Sequence, residues 1–346
     1  MPAVRSLTRI TAVLAAVTVL ALVPSTAYAG GKGGAGDLGG NQQNGNADGQ
    51  DLSATAGGVK FDDSKNGSGP SVGPVTSVTN WSPPPCWYAP EWSPQAFKDY
   101  VEPIWAVDST GAEWDATQRD RYVNGKPYKD FNLDKAGKGY WWTSYVPEGG
   151  AGVPGALDCT EPYFWVDTGD APPANIKNAL TPDVLAQLAY AHIRVPDTDI
   201  TLNPAGGQTV NLPTWAWLDK ATFKPVSVTA TANLLGISAT VTAKPVGLHI
   251  EPGTSDADVY PASGNCPINA DGSVGTPYPK GSDLKTPPCG VIYRRATQAG
   301  NSYALKATVT WKISWTGSGG TGGDLPDGTF GHTTAVTVQE IQSINR

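Results

Sequence analysis

The clearest pattern in the chain is a period of two. In Tyr303 to Trp315 the residues Tyr303, Leu305, Ala307, Val309, Trp311, Ile313 and Trp315 fall on one side of an extended backbone. Ala304, Lys306, Thr308, Thr310, Lys312 and Ser314 fall on the other. Such alternation predicts a strand with one face on a core and the other in water. Val226, Val228, Ala230, Ala232 and Leu234 repeat it against Ser227, Thr229, Thr231 and Asn233. Ile237, Ala239, Val241 and Ala243 repeat it again, with Asn233 to Gly236 as the hairpin between. At Pro245 the apolar phase slips to Val246, Leu248 and Ile250, which predicts a bulge or a strand changing sheets. Further strands are expected at Thr209 to Leu218, Cys289 to Arg295 and Thr333 to Ile341. These short strands, without helical periodicity, predict an antiparallel Ig-like β-sandwich over 196–346.

Residues 81–195 read differently. Eight of the twelve Trp lie there, with prolines enforcing extended backbone at Trp81 to Tyr88. Ser93 before Pro94 and Thr181 before Pro182 look like N-caps of helices. Phe97, Tyr100, Val101 and Ile104 mark the apolar face of the first, and Val184, Leu185, Leu188 and Ile193 that of the second. Tyr140 to Val146 and Tyr163 to Val166 are aromatic and β-branched, as strands are. The expectation is a small Trp-rich α+β module, so the whole chain is mainly β.

Ahead of it, 30–80 holds 14 Gly and one aromatic, Phe61. So little apolar surface predicts a disordered Gly-rich leader. Residues 1–29 read as a signal peptide, with Arg5 and Arg9, an apolar run Ile10 to Val23, and Ala27-Tyr28-Ala29 as the cleavage site. The run is shorter than the ~20 residues a span needs, and no later stretch suits one, so no membrane span is expected after cleavage. Leu325-Pro326-Asp327-Gly328-Thr329 has the wrong residue order for a wall-sorting signal, and no apolar tail follows it.

Export changes how the cysteines are read. Cys86, Cys159, Cys266 and Cys289 form an even set, which in an exported chain suggests disulfides. The division at Val195 favours Cys86–Cys159 and Cys266–Cys289, the second pinning a Pro- and Gly-rich insertion, Ser255 to Pro288, as a surface clasp. A zinc site would want closely spaced pairs, which are lacking. Losing two Arg with the signal takes the net charge from -7 to -9. That disfavours nucleic acid as a partner, since phosphate contacts need clustered cations.

Motifs of catalysis are weak. Gly69-Pro70-Ser71-Val72-Gly73 matches G-x-S-x-G without a strand before it, and Ser282-Asp283-Leu284-Lys285 matches S-x-x-K without a helix. Asp130, Asn132 and Asp134 alternate like the start of a calcium loop, but Lys135 and Trp141 stand where Gly and Glu belong. His192, His249 and His332 sit in unlike contexts, no carboxylate pair stands out, and there is no phosphate-binding loop. No cofactor is expected.

The Trp residues are what remains. Trp141 and Trp142 are adjacent, so on a strand they face opposite sides: one can be core while the other is exposed for ligand stacking, and the plainer reading is that a small module uses its large aromatics to make a core. Trp215, Trp217, Trp311 and Trp315 are expected in the core. With its Ala- and Thr-rich start, the Trp81 to Tyr88 segment and Leu212-Pro213-Thr214-Trp215-Ala216-Trp217-Leu218-Asp219, the chain resembles a group of secreted actinobacterial proteins. That resemblance implies export, and it carries no activity and no site with it. The expected role is non-enzymatic, at or beyond the cell envelope, with an extracellular protein or glycan as partner. A glycan or cell-wall binder using exposed Trp and Tyr is the first alternative. A secreted hydrolase with a scattered site is the second.

Overall fold

The computed structural model describes residues 53–341, apart from short stretches at 57, 69–71, 107–110, 148–149, 219–222, 267 and 270–272. The expected signal peptide, the first part of the leader and Ser71 of the G-x-S-x-G match lie outside the described residues. In chain order the longer strands are β1 (Val59–Lys65), β2 (Trp87–Trp92), β3 (Gly139–Tyr145), β4 (Phe164–Asp167), β5 (Pro213–Leu218), β6 (Val226–Ala232), β7 (Ile237–Glu251), β8 (Ala257–Tyr260), β9 (Gly290–Tyr293), β10 (Tyr303–Gly317) and β11 (Gly322–Val336). The helices are α1 (Pro94–Trp105), α2 (Ala112–Tyr122) and α3 (Pro182–His192).

The main sheet is antiparallel and runs β1-β6-β7-β10-β11. Ser53–Ala56 extends it beyond β1, and Thr76–Ser77 beyond β11. Its period-two residues behave as their polarity demands. Leu305, Ala307, Val309, Trp311, Ile313 and Trp315 are all buried, as are Val226, Val228, Ala230 and Ala232. The turn at Asn233–Leu235 closes with Gly236 in the left-handed region, φ 64°, which glycine adopts without a Cβ clash. The slip at Pro245 is a bulge. Pro245 pairs with Trp311 and Gly247 with Thr310, so Val246 is the extra residue and stands 41% exposed. The strand stays in one sheet, and Val246 does not join the core as the apolar count suggests.

A second antiparallel sheet runs β8-β9-β5, with short strands at Val274–Gly275 and Thr201–Asn203 flanking β5. A third, β2-β3-β4, carries most of the tryptophans. Both expected N-caps are present: the Ser93 hydroxyl accepts from the Ala96 N–H, and the Thr181 hydroxyl from that of Val184. Helix α2 was not signalled by the sequence. It is mostly polar, leaves Trp114 38% exposed and buries only Tyr122.

Two expectations change here. The leader is not featureless up to Asn80. Val59 and Phe61 are buried, alternating with exposed Lys60 and Asp62, and β1 pairs with β6 on one side and Ser53–Ala56 on the other. This short alternation, with Val75 further on, supplies the apolar residues that the described part of the leader buries. Further, α3 does not stay within its own module. It lies against β6 and β7, and one continuous core joins Trp87, Trp142 and Leu185 to Val228, Val241 and Trp311. Residues on both sides of Val195 therefore share a core.

Candidate functional site

Both expected disulfides are formed, Cys86–Cys159 and Cys266–Cys289. The second is more than a clasp on a loop. Cys266 pairs with Leu248 at the edge of the main sheet, while Cys289 adjoins β9 of the second sheet. Both are 1% exposed, so the bond is a buried tie between two sheets. It pins the insertion by passing through the core, because that insertion returns to pair with β7.

Trp141 and Trp142 do face opposite sides of β3, yet neither is exposed: they are 0% and 1% accessible. The physical reason is that both faces of the small sheet are covered. Trp141 sits among Phe97, Val101, Trp105, Tyr122 and Phe131, with its indole N–H donating to the Phe131 carbonyl at 3.0 Å. Trp142 packs into the main core beside Phe164. Neither ring offers a face to a ligand in this fold. Trp215, Trp311 and Trp315 are buried as expected, and Trp217 is half-buried.

The three histidines stay apart. His192 stacks on Phe61 with centroids 3.7 Å apart, and burial lowers its pKa to about 4. His249 Nδ1 bonds Asn265 Oδ1 at 2.8 Å. His332 Nδ1 lies 3.0 Å from Asp197 Oδ2. The Asp130-Phe131-Asn132 run turns left-handed, with φ of 45°, 55° and 57°, and Asn132 is buried. Among the described residues no set of three or more His, Cys, Asp or Glu is placed to hold a metal. Ser282 and Lys285 share a tight turn, the Lys285 N–H donating to the Ser282 carbonyl, so they lie in no helix.

What the structure adds is an open polar depression of about 670 Å³ where β7 leads into β8 and β9 into β10. One wall holds Thr254 and Asp256, the other Arg295, Thr297 and Gln298, and Asn301, Ser302 and Tyr303 complete it. Its walls are braced from behind. Arg294 reaches Asp258 Oδ2 through Nε at 2.8 Å and Asn211 Oδ1 through Nη1 at 2.9 Å. The Thr297 backbone N–H and hydroxyl both donate to the Val338 carbonyl, at 2.9 and 3.1 Å. Gly253, φ 76°, must be glycine, since a Cβ there would meet the Ala304 carbonyl oxygen at 2.5 Å. Tyr303 stacks on Tyr293, and its hydroxyl donates toward the Arg295 and Ala296 carbonyls. Burial raises the Tyr293 hydroxyl pKa, so it stays neutral and donates to the Pro252 carbonyl.

The open side of the depression offers amides at Gln298 and Asn301, hydroxyls at Thr254 and Ser302, and the Arg295–Asp256 pair at 3.3 Å. Arg295 is 75% exposed along its side chain, so water and salt screen this pair. The set is one for hydrogen bonding. No histidine and no cysteine lines it. Sequence reading passed over these residues because Thr254, Asp256 and Thr297 to Ser302 lie in loops without period, and Arg295 and Tyr303 stand only at the ends of expected strands. The signal available was Arg294-Arg295 followed by Gln298-Ala299-Gly300-Asn301-Ser302, which is a polar turn like many others.

No protein-family model matches the chain, and neither curated proteins nor solved structures yield a match. Function has to be argued from the site itself.

Proposed function

We propose that this is an exported, non-enzymatic binding protein that holds a hydrophilic ligand, a glycan, in the depression between Thr254–Asp256 and Arg295–Tyr303. The observation that carries the reading is the lining: amide, hydroxyl and one arginine–aspartate pair, on walls braced from behind. Such groups match the paired donors and acceptors of sugar hydroxyls, and they lack a nucleophile beside a base. The 196–346 part is read as an Ig-like scaffold and 81–195 as a Trp-rich module that buttresses it. The two disulfides and the apolar N-terminal run support work outside the cytoplasm. Among the described residues no helix is long and apolar enough to cross a membrane.

The test is retention of the purified chain on insoluble peptidoglycan and on chitin. Gln298→Ala with Asn301→Ala removes two exposed amides and leaves the bracing intact. The pair is expected to cut retention on the preferred polymer about 5-fold or more, with an unchanged melting temperature. Equal retention of variant and parent would overturn the reading.

A further inference from the structure

The main sheet has a second face. The residues that alternate with its buried ones are largely hydroxylic and partly exposed, and they line up across strands. Thr229, Thr240 and Thr316 form one rank, with the Thr229 and Thr240 hydroxyls 2.8 Å apart. Ser227, Thr242 and Ser314 form the next. Neighbouring strands lie about 4.8 Å apart and every second residue about 6.7 Å along, so the hydroxyls make a regular grid. Threonine suits strands for its own sake, and a grid alone would say only that.

The third rank is different. Lys244 stands directly opposite Lys312. Like charges facing each other across a strand pair work against the sheet. Lys312 is answered by Asp324, at 3.1 Å. Lys244 is exposed and has no carboxylate partner among the described residues. Exposed Lys65 faces Ser227 from β1. A chain of net charge -7 thus sets Lys244, Lys312 and Lys65 beside its hydroxyl grid, against the carboxylates of Asp324 opposite Ser314 and Asp62 opposite Thr229.

We propose that this face binds an extended anionic polysaccharide, its acidic groups on Lys244, Lys312 and Lys65 and its hydroxyls on the ranks at Thr242 and Thr240. Charge complementarity selects the acid. The open grid selects a polymer: a flat face holds a single small anion weakly, whereas a chain of repeats engages several weak contacts at once. This surface is separate from the depression at Thr254–Tyr303.

The test uses the purified mature chain and affinity electrophoresis in gels containing polygalacturonate or, as the neutral control, dextran. At about 0.05 M salt the protein is expected to be retarded by polygalacturonate and not by dextran, with the retardation lost near 0.5 M. Lys244→Gln is expected to weaken the interaction about 2- to 5-fold and the Lys244→Gln/Lys312→Gln pair further, with no loss of melting temperature. Retention of full binding by the double variant would overturn the proposal, as would equal retardation by dextran or equal binding to anionic lipid vesicles. The Gln298→Ala/Asn301→Ala variant is expected to bind polygalacturonate like the parent. Failure of that variant alone to do so would also refute a separate face.

Discussion

Phe61 gives the sharpest test of how the N-terminal part of the chain is held. Its ring is 3% exposed and lies flat on His192, and β1 carries only one other buried apolar residue, Val59. Just beyond β1, the Asn66 side chain donates to the His192 carbonyl and accepts from the Arg194 N–H, both at 2.7 Å. The strand is thus fastened by two side chains, a clamp and its ladders with β6 and with Ser53–Ala56. Phe61→Ala removes a large buried ring, a change that typically costs about 3–5 kcal/mol in a core. Here the loss falls near the sheet margin, where only the short strand Ser53–Ala56 lies beyond β1, so the two can open without the rest of the sheet. The expected result is local: amides of Val59–Lys65 should exchange at least about 100-fold faster, the factor that corresponds to about 3 kcal/mol. Amides in β10 should change little. Hydrogen exchange read by mass spectrometry on overlapping peptides measures both. If residues 59–65 already exchange freely in the unmodified protein, β1 is not part of the sheet and the reasoning fails.

Three further outcomes are expected. Trp142→Ala should lower global stability by about 3–5 kcal/mol in denaturant titration, because the ring is a core element; a stable variant that loses only ligand retention would contradict its burial. Replacing Cys266 and Cys289 together by Ser should cost about 3 kcal/mol for a 23-residue separation, read as a lower denaturant midpoint; an unchanged midpoint would mean the bond adds nothing to the tie between sheets. Burial holds His192 near pKa 4, below the ordinary 6.5, so the unfolded chain binds the extra proton first. The His192 contribution should be complete above about pH 6.5 and fall away as the pH drops toward 4, and His192→Phe should flatten that part of the stability profile.

Legibility in the sequence followed the amount of apolar contrast. Strands β6, β7 and β10 were readable because each alternates Val, Ala, Ile or Trp with Thr, Ser or Lys, and burial enforces that period. Capped helices α1 and α3 were readable from Ser93-Pro94 and Thr181-Pro182. Strand β11 is another matter. Its Gly322 to Gly331 stretch contains Leu325-Pro326-Asp327-Gly328, which reads as a loop. In the sheet Trp311 pairs with Gly328 and Ile313 with Leu325, so Pro326 and Asp327 sit together opposite Lys312 as a bulge. A proline is tolerated there because the ladder is already interrupted. The seat of α3 on β6 and β7 joins residues far apart in the chain, and periodicity carries no information about such pairings. The polar depression was invisible for the same reason: Thr254, Asp256 and Arg295 meet only once β7, β8 and β9 are in place. The misreading of Trp141 and Trp142 came from assuming an open face, when α1 and the main core each cover one side of β3.

The single peptide bond between those two tryptophans has a mechanical meaning. One indole is embedded in the aromatic cluster around Phe97, the next in the core beneath α3. Neither cluster can loosen at that strand without dragging on its neighbour, so the two are geared together like teeth on one shaft. Calorimetry on the intact protein should then show a single cooperative melt, where independent halves would give two.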